Sequence, residues 1–241
     1  MSNQIKDKVA VAILNWNGVV LLKQFVPSII EHSIDHASIY VIDNNSSDDS
    51  LAYLATNYPQ INIIKNDENY GYAGGYNVGI ERIKEEYIIL LNSDIEVTKN
   101  WIPPVIELMV KDKNIAACQP KIKDFNNRDS FEYAGAAGGF IDKYGYPFCR
   151  GRVFDTLEKD NAQYDDSIEV FWATGACLFV RKDAFIRAGK LDTNFFAHME
   201  EIDLCWRMIN LGNKIMYCGD SEVYHVGGGT LNKAKIGRAH V

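Results

Sequence analysis

What most constrains this chain is the regular alternation, through about its first hundred residues, of short continuous apolar runs with longer stretches of helical spacing. Residues 9–14 read Val-Ala-Val-Ala-Ile-Leu without a polar side chain, the pattern of a strand covered on both faces. Residues 19–31 then set Leu22, Phe25, Val26 and Ile29 along one helical face. The alternation continues with strands predicted at 38–42, 61–64 and 87–91 and helices at 48–57 and 73–83. Parallel strands need crossover connections, and crossover helices cover both sheet faces, so the pattern predicts an α/β fold with a doubly wound, Rossmann-like parallel sheet. Beyond residue 99 the regularity fades. A helix is predicted at 101–111 through Pro103 and Pro104, a strand at 115–122, and a Gly- and aromatic-rich hairpin region at 131–150. A strand at 169–181, interrupted by Thr174, Gly175 and Ala176, and an amphipathic helix at 200–211 complete a mixed lobe. No internal repeat and no linker rich in Pro, Ser and Gly divides the chain, so residues 1–233 read as one domain.

At 241 residues with 47% hydrophobic and 24% charged side chains, the chain can bury a core of its own. Lys and Arg total 25 against 32 Asp and Glu, a net charge of -7 that offers no broad basic surface, so nucleic acid is not an expected partner. The 5 cysteines are odd in number and never spaced C-x-x-C, which predicts buried thiols in a reducing compartment. With no signal-peptide pattern and no run of about 18 apolar residues, a cytoplasmic location is expected. Residues 236–241, Ile-Gly-Arg-Ala-His-Val, look like a translated sequencing adapter; they are read as a non-native tail, with the natural C-terminus expected further on.

Open α/β sheets bind ligands at the carboxyl ends of their strands. The segments found there are Asn15-Trp16-Asn17-Gly18, residues 43–49 (Asp-Asn-Asn-Ser-Ser-Asp-Asp), residues 66–75, and Asn92-Ser93-Asp94. Each alone is ordinary turn chemistry, but their recurrence at corresponding strand ends points to a ligand crevice. Asp94 suits a hard metal such as Mg²⁺ or Mn²⁺, which leaves most of its coordination positions to phosphate oxygens and water; it would serve equally as a turn or cap residue. Downstream, Glu200 and Glu201 open a helix about 100° apart, so one of them is expected to enter a given pocket, while Asp203 and Arg207 are spaced for an i,i+4 ion pair. Acidic residues in a first turn also serve the helix dipole. In Tyr224-His225-Val226-Gly227-Gly228-Gly229, a His lies beside a close, flexible backbone suited to a phosphate or a metal.

These motifs, taken in order, resemble the family-2 glycosyltransferases of GT-A fold, and most closely their rhamnosyltransferase-like subgroup. The resemblance runs from Val9 to Gly229 through N-W-N-G, V-I-D-N-N-S-S-D-D-S, N-Y-G-Y-A-G-G-Y-N-V-G-I, I-L-L-N-S-D, T-G-A-C-L-F-V-R, F-F-A-H-M-E-E-I-D-L-C-W-R and Y-H-V-G-G-G. It implies a nucleotide-binding half at about 9–99 and an acceptor and catalytic half at about 100–230. Asn15, Asn17, Asp43, Asn69, Gly71 and Asn77 would bind nucleotide or sugar. The glycines at 71–75 follow the third strand, not the first, which sets them apart from a dinucleotide fingerprint.

By the same resemblance Asn92-Ser93-Asp94 stands at the D-x-D position, so Asp94 would be the carboxylate ligand of a divalent metal, Mg or Mn, with His225 as a further ligand. Glu201 stands at the general base of E-D-x-D, with Glu200 the alternative; Trp172, Thr174, Gly175 and Ala176 would face donor sugar and acceptor. The implied activity is inverting transfer of a sugar, rhamnose or another hexose, from a nucleoside-diphosphate sugar to a hydroxyl of a glycan or lipid-linked acceptor in cell-surface polysaccharide synthesis. Peripheral association with the inner face of the membrane would accompany a lipid-linked acceptor. The departures N-S-D and E-E leave open a catalytically silent nucleotide-sugar-binding module, and the sheet itself a sugar-phosphate nucleotidyltransferase, although residues 15–20 lack the basic loop such enzymes carry after the first strand.

Overall fold

The apolar first strand decides the architecture. In the computed structural model, which describes residues 6–195 and 199–227, Val9, Ala10, Val11, Ala12 and Ile13 are fully buried. A strand with no side chain fit for water on either face must lie inside a sheet covered on both sides. Accordingly β1 (Val9–Asn15) is flanked in parallel by β2 (Ser38–Asp43) and β4 (Tyr87–Leu91), with β3 (Asn62–Lys65) beyond β2. The crossovers are α1 (Val19–Ser33), α2 (Ser50–Asn57) and α3 (Gly71–Glu81). The register sets Asn15 opposite Asp43, so the strand ends that carry the Asn- and Asp-rich segments form one edge.

The second half continues through β5 (Ile95–Val97), α4 (Pro103–Lys111), β6 (Ile115–Asp124), the hairpin of β7 (Gly139–Ile141) and β8 (Pro147–Cys149), and the short pair β9 (Arg152–Val153) and β10 (Thr156–Leu157). It ends with β11 (Ser167–Val170), β12 (Cys177–Arg181), α5 (Lys182–Arg187), α6 (Glu200–Asn210) and β13 (Lys214–His225). The main sheet runs β11-β13-β6-β12-β4-β1-β2-β3, with β5 paired to β13. It is parallel from β3 to β4; β12 then enters antiparallel between β4 and β6, which makes the remainder mixed.

Alternation along β1 splits the core in two. Val9, Val11 and Ile13 pack with Leu22, Val26 and Ile29 of α1 and with Val105, Ile106 and Met109 of α4. Ala10 and Ala12 face the other layer, where Tyr76 and Ile80 of α3 and Leu204 and Met208 of α6 pack. Close approach on that side depends on Gly79, because a Cβ there would stand 2.4 Å from Cδ1 of buried Ile42.

Three features depart from the sequence reading. The single strand expected at 169–181 is two strands, β11 at the sheet edge and β12 in its centre. The segment after α6, to which the sequence reading assigns no element, is the twelve-residue β13, hydrogen-bonded on both flanks by β6 and by β11 or β5. Its polar Gly219, Asp220 and Ser221 hide it from a pattern search, and they fall where its register shifts between Cys218 and Glu222. The predicted helices at 48–57 and 73–83 begin instead at Ser50 and Gly71. No helix among the described residues is long and apolar enough to cross a membrane. The proposed tail at 236–241 lies outside the described residues.

Gly79→Ala should destabilise the protein by about 1–3 kcal/mol through overpacking against Ile42, read as a lowered denaturation midpoint with an unchanged slope.

Candidate active site

At the end of β1, buried Asn15 donates from Nδ2 to Oδ1 of Asp43 at 2.9 Å and to the Ser46 hydroxyl at 3.1 Å. Asp43 also accepts from the Ser46 hydroxyl at 2.6 Å and from the Ser46 amide at 2.9 Å. Asn17, in the left-handed region at φ 50°, accepts from the amides of Ser47 and Asp48 at 2.8 and 3.2 Å. The loops after β1 and β2 are thus tied into one shelf. Oδ1 of Asn15 is buried without a protein partner, an acceptor left for whatever lies on that shelf.

Sequence reasoning missed the ladder beside it. Asn66 donates to Oδ1 of Asn44 at 2.8 Å, and Asn44 donates to the Gly71 carbonyl at 2.8 Å and to Oδ1 of Asn69 at 3.2 Å. Asn69 in turn accepts from the Gly71 amide at 2.9 Å. Gly71 has φ +68° and open space where a Cβ would stand, so the loop entering α3 exposes its backbone to a ligand. Asn77, expected among these groups, is occupied elsewhere: its amide donates to the Leu191 carbonyl at 2.8 Å and accepts from the Leu191 amide at 3.1 Å.

After β4, the Asn92 amide donates to the Ala176 carbonyl at 2.9 Å, joining Asn92-Ser93-Asp94 to Thr174-Gly175-Ala176. The Thr174 hydroxyl is spent on the Ala134 carbonyl at 2.8 Å and its amide on Gln119 at 2.9 Å, so this residue holds the turn in place. Gly175 lies between Tyr72 and Glu201: its carbonyl accepts from the Tyr72 hydroxyl at 2.8 Å, and a Cβ on it would sit 2.9 Å from that hydroxyl and 3.7 Å from Cβ of Glu201. Trp172 is not an open platform for a sugar ring. It is 6% exposed, donates to the Phe140 carbonyl at 2.8 Å, and has Gly139 pressed against its ring, where a Cβ would come within 2.0 Å.

Asp94 is buried, and Oδ1 stands 3.2 Å from Nε2 of His225; Oε1 of buried Glu132 lies 3.4 Å from the other ring nitrogen. Burial alone would lower the pKa of His225, but the two carboxylates outweigh it and raise it to about 10. This nest of two carboxylates around one imidazole suits positive charge. Among the described residues no group of three or more His, Cys, Asp or Glu side chains is arranged to hold a metal by itself. With the ring proton displaced by the metal, the Asp94 and His225 pair would supply two ligands, a number that leaves room for phosphate oxygens and water; a carboxylate oxygen with an imidazole nitrogen fits Mn²⁺, and the carboxylate alone fits Mg²⁺.

The first turn of α6 carries both candidate glutamates. Oε2 of both Glu200 and Glu201 is buried without a hydrogen-bond partner. Burial, then the neighbouring Glu200 charge, pushes the Glu201 carboxyl up to about 8, and burial raises Glu200 as well. Once ionised, as pH rises toward about 8, the Glu201 carboxylate can take a proton from a hydroxyl. The expected ion pair between Asp203 and Arg207 is present at 2.6 Å. His198 and residues 228–229 of the sequence motifs lie outside the described residues.

Residues 10–187 match glycosyl transferase family 2, and the chain belongs to that family. It is 24% identical over 237 residues to the N-acetylglucosaminyl-diphospho-decaprenol L-rhamnosyltransferase of Mycobacterium tuberculosis, covering 91% of this chain and 76% of the relative. The structure of GalNAc-T7 with UDP, GalNAc and Mn²⁺ superposes with a TM-score of 0.70 at 18% identity, over 90% of this chain and 43% of that one. The mannosyltransferase PcManGT of Pyrobaculum calidifontis, in complex with GDP-Man and Mn²⁺, superposes with a TM-score of 0.66 at 13% identity, over 95% of this chain and 59% of that one. The fold is GT-A, and the chain spans less than two thirds of the length of either solved neighbour.

Between about pH 4.5 and 8 the folded protein retains a proton on Glu201 that the unfolded chain releases, so the contribution of this group to stability falls as pH rises through that window. Glu201→Gln should leave the melting temperature nearly unchanged at about pH 5 and raise it above wild type at about pH 8.5, a comparison made by thermal melts at both values.

Proposed function

We propose that this protein is an inverting glycosyltransferase that moves a hexose or deoxyhexose from a nucleoside-diphosphate sugar to a hydroxyl of a glycan or lipid-linked acceptor. The observation that carries this reading is the run from Asn92, whose amide donates to the Ala176 carbonyl, through Gly175, which lies against Glu201; it brings the Asn92-Ser93-Asp94 segment and Glu201 to the same edge. Family membership and the decaprenol-linked rhamnosyltransferase relative support a lipid-linked acceptor and rhamnose as the first donor to test.

The nucleotide lies over the shelf of Asn15, Asn17 and Asp43, with the free Oδ1 of Asn15 accepting from it. Asn69 and Gly71 border the diphosphate, where the exposed backbone of Gly71 admits close approach. Asp94 and His225 would hold Mn²⁺ or Mg²⁺, which when bound offsets the charge that grows on the departing diphosphate. Glu201, with Glu200 beside it, takes the proton of the acceptor hydroxyl as its oxygen bonds to the anomeric carbon and the bond to diphosphate breaks on the opposite face. The raised pKa of Glu201 matches that task, and rate should climb as pH rises toward about 8.

Three measurements test the assignment. Glu201→Gln should lower transfer by about 10²–10⁴-fold while nucleotide affinity by calorimetry stays unchanged; undiminished turnover would remove Glu201 as the base. Asp94→Ala should abolish the Mn²⁺-dependent part of UDP, GDP or dTDP binding, and an unaltered affinity would count against the metal pair. Turnover across a panel of UDP-, GDP- and dTDP-sugars separates a working enzyme from a silent binding module.

A further inference from the structure

Between α5 and the base-bearing helix α6, the chain makes a tight turn at residues 188–191. Gly189 and Lys190 both adopt left-handed conformations, with φ of 88° and 65°. Two other elements grip this turn through backbone atoms. From α3, Asn77 both donates to and accepts from Leu191. From α6, the Arg207 guanidinium donates to the Lys190 carbonyl at 2.8 Å and also to the Ala188 carbonyl, while Asp203 fixes it from behind at 2.9 and 2.6 Å. The Lys190 side chain reaches back to Glu81 at the end of α3. Leu191 itself is 2% exposed, and the contacts that Asn77 and Arg207 make with the turn are partly buried, so water competes for them less than at the open surface.

We propose that Asn77 and Arg207 are positioning residues: through the turn at 188–191 they lock α6, and with it Glu201, at a fixed distance from α3, whose first residues border the donor. The proposal rests on Glu201 as the base and extends that reading to the device that aims it. Both polar atoms of the Asn77 amide are engaged by Leu191, so the side chain acts on the reaction through the backbone it holds and not by touching the donor. A bidentate clamp on backbone amide and carbonyl tolerates neither Ala nor a shift of register. Misplacing a catalytic group by about 1 Å can cost on the order of 10²-fold in rate.

The test uses the full chain, the Asn77→Ala and Arg207→Lys variants, hydrogen exchange read by mass spectrometry, and steady-state kinetics with the donor sugar found in the panel. Arg207→Lys keeps the charge facing Asp203 and loses the forked contact with the turn. In each variant, exchange should quicken at least tenfold at residues 188–195 and in the first turn of α6. In each, kcat should fall tenfold or more while the donor KM stays within about threefold. Exchange that quickens in the turn but not in α6, or a donor KM that rises in step with the loss of rate, would overturn the proposal; the latter would put Asn77 on the donor itself. Should Asn77→Ala fail to fold, Arg207→Lys decides by the same criteria. If wild type transfers no sugar from any donor, the reading of the activity fails while exchange still decides whether the turn couples α3 to α6.

Discussion

The parallel pairing of β1 with β2 on one side and β4 on the other is the constraint on which the rest depends. It brings three strand ends to one edge in fixed register, Asn15 against Asp43 and Leu91 one residue before Asn92. Nothing in those loops would meet without it, since the groups are separated by tens of residues in the chain. The pairing is held by burial on both faces: the apolar residues of β1 have no arrangement that keeps them from water except the centre of a covered sheet.

The second half uses that edge by an unusual route. β12 runs antiparallel to β4, so the start of β12, and with it Thr174-Gly175-Ala176, arrives where β4 ends. The same reversal seats the Ala176 carbonyl on the Asn92 amide and leaves Gly175 between Tyr72 and Glu201. β13 then carries His225 back alongside β5, opposite Ile95 and next to Asp94. Candidate site groups from the two halves of the chain are therefore joined by strand pairing, and flexible loops do not have to find one another.

How much of this the sequence reveals follows from where the signals lie. The strand and helix alternation to residue 91 is legible because each element is one apolar run or one apolar face, and β4 has the same bounds in both readings. β13 is not, because Gly219, Asp220 and Ser221 break its pattern and its support comes from β6, a partner about a hundred residues away. Candidate site residues whose chemistry lies in their own side chain, such as Asp43, Asp94 and Glu201, stand out in motifs. Those defined by what surrounds them do not. Asn44 and Asn66 look like turn residues until the ladder forms, Glu132 until His225 arrives beside it, and Trp172 looks like a sugar platform until Gly139 covers its ring. Asn77 is the instructive case: its motif points it at nucleotide or sugar, while the partner it bonds, Leu191, lies 114 positions away.

The central claim is that the edge built by β1, β2 and β4 receives a nucleoside diphosphate whose metal is held by Asp94 and His225. Anomalous diffraction from crystals of the protein grown with Mn²⁺ and the nucleoside diphosphate it binds tests this most directly. The account predicts a single strong Mn²⁺ peak within coordination distance of both the Asp94 carboxylate and Nε2 of His225, with the diphosphate extending from it toward Gly71 and the base toward Asn15. A peak elsewhere on the protein, or ordered nucleotide away from that edge, would contradict it.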